Sequence, residues 1–149
     1  MSDTKAQLQA ALKDAMKSKD NDRRNVIRLV QSAIKQEEVD SGKSLDEDAV
    51  IAVIQKEAKK RREAIIDYEK ADRADLAAEE QKELEILDDF LPKQLSREEV
   101  EAIVKEVIAE TGAESQKDMG KVMGPVMARV KGVADGKMVN QIVREQLNA

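Results

Sequence analysis

Two stretches of the sequence collect side chains that could do chemistry, and both are cationic. The first is Lys56-Glu57-Ala58-Lys59-Lys60-Arg61-Arg62-Glu63-Ala64, with five basic residues in nine positions. The second is residues 117–149, which hold six basic residues against three acidic ones and four of the chain's six glycines: Gly120, Gly124, Gly132 and Gly136. Ammonium and guanidinium groups neutralise phosphates. Glycine lets another backbone come close, because it has no Cβ. Cations beside glycines therefore suit a polyanion lying against a helix. On the first stretch, four consecutive cations at about 100° per residue cover most of a helix circumference and cannot all face one ligand. It reads either as a solvated helix surface, with Glu57 and Glu63 at pairing distance, or as an RNA-phosphate patch.

Composition removes most other chemistries. The 149 residues include no cysteine and no histidine. Disulfides, thiolate or imidazole metal sites, and Cys–His or Ser–His dyads are thereby excluded. No phosphate loop, acidic metal cluster or nucleophile with an adjacent base is evident, so neither a catalytic residue, a cofactor nor a metal is expected. The net charge of −5 argues against indiscriminate polyanion binding. That charge is uneven: residues 1–92 hold 17 Lys/Arg against 22 Asp/Glu, and residues 93–149 hold nine of each. No uncharged run is long enough to span a membrane. The opening Met-Ser-Asp-Thr-Lys-Ala-Gln lacks the apolar core of a signal peptide, so a cytoplasmic protein is expected.

These residues must be positioned by helices. The aromatics Tyr68 and Phe90 stand alone, which leaves Leu, Ile, Val, Ala and Met to build the core. Apolar residues recur at helical spacing throughout, and no segment alternates with period 2. The pattern predicts helices over 4–18, 22–40, 45–70 and 73–90, then 97–110, 116–131 and 136–148. Gly42, Gly112 and Gly132 are placed as helix stops. Ser44–Glu47 and Ser96–Glu99 read as capping boxes, and Ser115–Asp118 resembles one. Asp135 is the expected N-cap of the last helix. Leu91-Pro92 ends the fourth helix, since a residue before proline is pushed out of helical geometry. The expected fold is all-α, with an N-terminal domain of about four helices (1–92) and a C-terminal three-helix bundle (96–149).

Within the sixth helix, Met119, Val122, Met123, Val126 and Val130 make one apolar stripe. Gly120, Gly124 and Ala128 fall at i, i+4, i+8 on another face, with Lys121 and Lys131 near that strip. The strip is to be approached either by a neighbouring helix or by a nucleic-acid backbone. In the last helix, Val139, Ile142, Val143 and Leu147 share one face, and Lys137, Asn140, Gln141 and Arg144 the opposite one. The free amides of its first turn, beside Lys137, form a possible anion site unless Asp135 occupies them.

Read whole, "DMGKVMGPVMARVKGVADGKMVNQIVREQL" (118–147) resembles the YqeY family. It is also similar to the tail domain of the B subunit of the tRNA-dependent Asp/Glu amidotransferase. "RNVIRLVQSAIKQEEVDSGKSLDEDAV", "KEAKKRREAIIDYEKADRADLAAEE" and "LDDFLPKQLS" carry the YqeY resemblance through the rest of the chain. It implies an all-helical protein with a three-helix tail that holds tRNA. Carried over by position, the RNA-contacting candidates are Lys121, Arg129, Lys131, Lys137, Asn140 and Arg144, with Gly120, Gly124, Gly132 and Gly136 as points of close backbone approach. Asp135-Gly136 stands where the amidotransferase tail often has Asn-Pro, and Val133 where a basic residue often follows the glycine.

The expected function is that of a non-catalytic tRNA-binding or amidotransferase-related accessory protein. Its possible partners are tRNA, a tRNA amidotransferase and an aminoacyl-tRNA synthetase. One alternative is a protein-interaction module without RNA, using Met119, Met123, Met127 and Met138 as adaptable surface. Another is an association with a carbon–nitrogen ligase by shared domain only.

Overall fold

The structure is a computed structural model that describes residues 3–148. These residues form seven α-helices and one 3₁₀ turn, with no strand among them. No described helix is long and apolar enough to cross a membrane. The chain divides into two compact units, Met1–Leu91 and Pro92–Ala149.

The N-terminal unit contains α1 (Asp3–Ser18), α2 (Asn21–Ser41), α3 (Glu47–Lys70) and α4 (Ala74–Asp88). Helical spacing sends Val26, Ile27, Val30 and Ile34 of α2 and Val50, Val53, Ile54 and Ala58 of α3 into one core. Leu8, Leu84, Leu87 and Phe90 complete it. Gly42 ends α2 at φ +71°, a conformation that costs glycine little.

Helix α3 does not start with the expected Ser44 box. Asp46 is its N-cap and accepts from the Ala49 amide at 2.9 Å. The glutamate of the presumed box serves elsewhere: Glu47 accepts from the Thr4 amide (3.0 Å) and the Thr4 hydroxyl, holding the start of α1. Glu38 takes the Leu45 amide at 2.8 Å and pairs with Lys5 at 2.6 Å. Tertiary ties thus claim groups that local pattern assigned to the cap.

Helix α4 stops at Asp88, two residues before the expected end. Its last turn tightens into i→i+3 bonds from the amides of Asp89, Phe90 and Leu91. That turn buries Phe90, over whose ring the Arg23 guanidinium lies at 5.3 Å, with Arg23 also bonded to Asp89 at 2.8 Å.

The C-terminal unit contains α5 (Arg97–Thr111), a 3₁₀ turn (Gln116–Asp118), α6 (Met119–Val130) and α7 (Gly136–Asn148). The Ser96 capping box is present in both halves: the Glu99 amide donates to Ser96 Oγ, and the Ser96 amide donates to Glu99 Oε1. Valines from α5 (Val100, Val104, Val107) and α6 (Val122, Val126, Val130) meet Val139, Ile142, Val143 and Leu147 of α7.

The expected 116–131 helix begins as a 3₁₀ turn, and Ser115 makes no side-chain cap. The Asp118 carboxylate reaches back instead to the Glu114 amide at 2.9 Å. The corner between α6 and α7 turns on Gly132 at φ +78°. The Leu95 amide donates to the Val133 carbonyl (2.7 Å) and the Gln94 side chain to the Gly132 carbonyl (3.0 Å), which ties the segment entering α5 to this corner.

Candidate nucleic-acid interface

The candidate residues lie on the faces that α6 and α7 turn away from their shared core. Because Val122, Val126 and Val130 are buried, the opposite arc of α6 carries Gly120, Lys121, Gly124, Pro125 and Ala128, all exposed. A Cβ added at Gly120 or Gly124 would meet nothing within 4 Å. The expectation of a neighbouring helix packed on this strip therefore fails for this chain: the strip is open. Gly132 is a turn residue. At Gly136 an added Cβ would sit in ordinary contact with Met127 Cε, at 3.7 Å. Gly136 is therefore less open than the strip.

Four of the six candidate residues, Lys121, Lys131, Lys137 and Arg144, are exposed on α6, at its end or on α7. Lys121 projects beside the strip with its side chain 69% exposed, and its ammonium lies 3.7 Å from the Asp118 carboxylate. Lys131 closes α6 and is exposed, and Lys137 is exposed in the first turn of α7. Arg144 is exposed one turn beyond the half-buried Asn140, and its guanidinium donates to Asn140 Oδ1 at 3.2 Å. Asn140 thus serves first as a support that orients Arg144.

Arg129 is placed differently. It follows Ala128 by one residue, about 100° further round the helix, and its guanidinium is bonded to Glu106 of α5 at 2.8 Å. Its charge is matched within the unit.

The acidic groups near these cations are fixed rather than adaptable. Backbone hydrogen bonds, from Glu114 above all and also from Ser115, hold the Asp118 carboxyl below its ordinary range, and Lys121 adds to the effect. Asp135 Oδ1 accepts from the Lys137 amide at 3.4 Å, a long bond that sets a carboxylate beside one first-turn amide of α7. An anion at that helix end would meet this negative charge. Glu145 is turned to Arg97 at 2.5 Å.

The basic run on α3 is divided: Lys56, Lys60 and Arg62 are exposed, Lys59 is half-buried, and Arg61 is turned inward. Arg61 is only 9% exposed and lies on the apolar stripe that continues from Ile54 and Ala58. Its Nη1 bonds Glu57 Oε2 at 2.7 Å, and Glu57 is itself buried. Lys60 adds a 3.3 Å contact to the same carboxylate. Arg61 Nε makes no hydrogen bond, since the Glu83 carboxylate stands 3.6 Å away. Burial pushes the Glu83 carboxyl above its ordinary range, against the attraction of Arg61. Counting i+3 and i+4 steps from Val50 would have marked Arg61 as inward-facing, with Glu57 one turn before it.

Met119, Met123, Met127 and Met138 are half-buried against the valine core. Their packing role leaves little adaptable surface.

The family model described as Yqey-like protein matches residues 5–147. The chain belongs to the YqeY-like family. Among curated relatives of this YqeY-like chain is the "Altered inheritance of mitochondria protein 41, mitochondrial" of Kluyveromyces lactis. The two are 43% identical over 103 residues, or 66% of this chain and 55% of that protein. The protein of the same name from Lachancea thermotolerans is 39% identical over 90 residues (60% and 48%). An uncharacterised protein of Schizosaccharomyces pombe is 33% identical over 91 residues (61% and 74%). The chain spans about half the length of the relatives that carry the mitochondrial name.

Those relatives correct the cytoplasmic expectation, because they are mitochondrial proteins. A cysteine-free, charge-rich helical fold answers to either compartment, so its composition did not decide between them.

Proposed function

We propose that this YqeY-family chain is a non-catalytic tRNA-binding accessory protein that grips its ligand with the C-terminal unit. The reading is supported above all by the open strip of α6. Gly120 and Gly124 leave the helix backbone uncovered, and Lys121, Lys131 and Lys137 stand beside it or at its far corner. A rigid, aromatic-poor surface of this type suits recognition of folded RNA by shape and by phosphate and sugar contacts, which requires no base stacking. The excess of three positive charges over residues 117–149 favours a polyanion locally in a chain that is acidic as a whole. The resemblance to the amidotransferase tail narrows the RNA to tRNA, and makes a tRNA amidotransferase or an aminoacyl-tRNA synthetase the fitting protein partner.

Titration of labelled tRNA, followed by fluorescence anisotropy at several salt concentrations, tests this reading. Binding should weaken linearly in log salt, as counterion release demands. Salt-independent association, or none in low salt, would refute it. Pull-down from nuclease-treated lysate checks the partner: a synthetase or amidotransferase retained after RNA is destroyed points to direct protein docking.

A further inference from the structure

We draw no further inference here: the strongest candidate, the two adjoining pockets between the start of α2 and α4, where Asp20, Asp22, Glu79, Glu83, Glu85 and Asp89 surround Lys82, is a cluster of carboxylates beside which nothing among the described residues points to a ligand.

Discussion

The two units use helices of similar kind but place their charges differently. In the N-terminal unit, Arg61 sits within the core stripe of α3, bonded to a buried Glu57 and facing Glu83. In the C-terminal unit the core is valine, isoleucine and leucine with methionine at its margin, and the candidate cations stand outside it. A buried guanidinium must be matched by carboxylates or the fold loses several kcal/mol. An exposed lysine costs the fold little. Hence a guanidinium serves architecture in α3, whereas the exposed cations of the C-terminal unit lie outside its core and, on the proposed reading, serve recognition. A cation count along the sequence does not separate these roles, but position on the helix does.

The largest test removes one side of the comparison. Residues 92–149, expressed alone, are expected to fold as a helical unit with a cooperative thermal transition and to retain most of the tRNA affinity. Residues 1–91 should retain none. Circular dichroism checks the folding and anisotropy the binding. Binding by 1–91 would move the interface to the basic run of α3 and undo the contrast drawn above.

Next in size is the buried pair. Glu57→Ala leaves Arg61 inside the core without its main partner and is expected to cost about 3–5 kcal/mol of N-terminal-unit stability. Replacing both together, Glu57→Leu with Arg61→Met, should return the unit to near its original stability, because two apolar side chains of similar volume need no partner. Urea unfolding of the single and double variants decides. If the single variant costs less than about 1 kcal/mol, Arg61 finds solvent or Glu83 instead, and the pair is not structural.

Much of this architecture was legible beforehand, and the parts that were not share a cause. Helix periods, the Ser96 box and the left-handed stops at Gly42 and Gly112 depend on a few neighbouring residues, so local pattern finds them. Gly132 is left-handed as expected but turns the corner one residue after Lys131 has capped α6. The Ser44 reading failed because Glu47 was needed by Thr4, forty-three residues away. At the candidate interface, the outward face of α7 could be read from its four buried apolar positions. That Arg129 is claimed by Glu106 depends on how α5 packs against α6, which no spacing along the chain reports. The open state of the glycine strip is likewise a matter of what does not lie beside it.

Charge reversal tests that interface directly. The pair Lys131→Glu and Lys137→Glu should weaken tRNA binding by at least the order of tenfold at physiological salt, and lower the salt slope by about one per lost phosphate contact. Arg129→Glu should do much less, since that guanidinium already faces Glu106. Equal effects from the two sets would mean that overall charge, not this face, governs binding. A smaller change is expected for the fold alone from Ser96→Ala, which breaks the capping box at the start of α5 and should cost about 1 kcal/mol in thermal unfolding of the C-terminal unit, with tRNA binding unchanged below the transition.

The smallest expected effect discriminates best between folding and recognition. A glycine inside a helix costs roughly 0.5–1 kcal/mol relative to alanine, through backbone entropy. At Gly124 the following Pro125 offsets that cost, since a helical residue before proline with a Cβ clashes with the proline ring. Gly120 has no such neighbour: it lies in α6, is followed by Lys121, and the space above it is empty to 4 Å. For stability alone, alanine is the better residue there. Gly120→Ala is therefore expected to raise the melting temperature of the C-terminal unit by a few degrees. If a polyanion backbone lies against the strip, the added methyl must lift it, so affinity for tRNA should fall while stability rises. The bulkier Gly120→Leu should deepen that loss. Stabilisation with unchanged affinity in both variants would remove the strip from the interface and leave the cations of α7 to carry the binding. Opposite movement of stability and affinity at one exposed position is hard to produce by any purely structural role, which makes Gly120 the sharpest point at which to question this face.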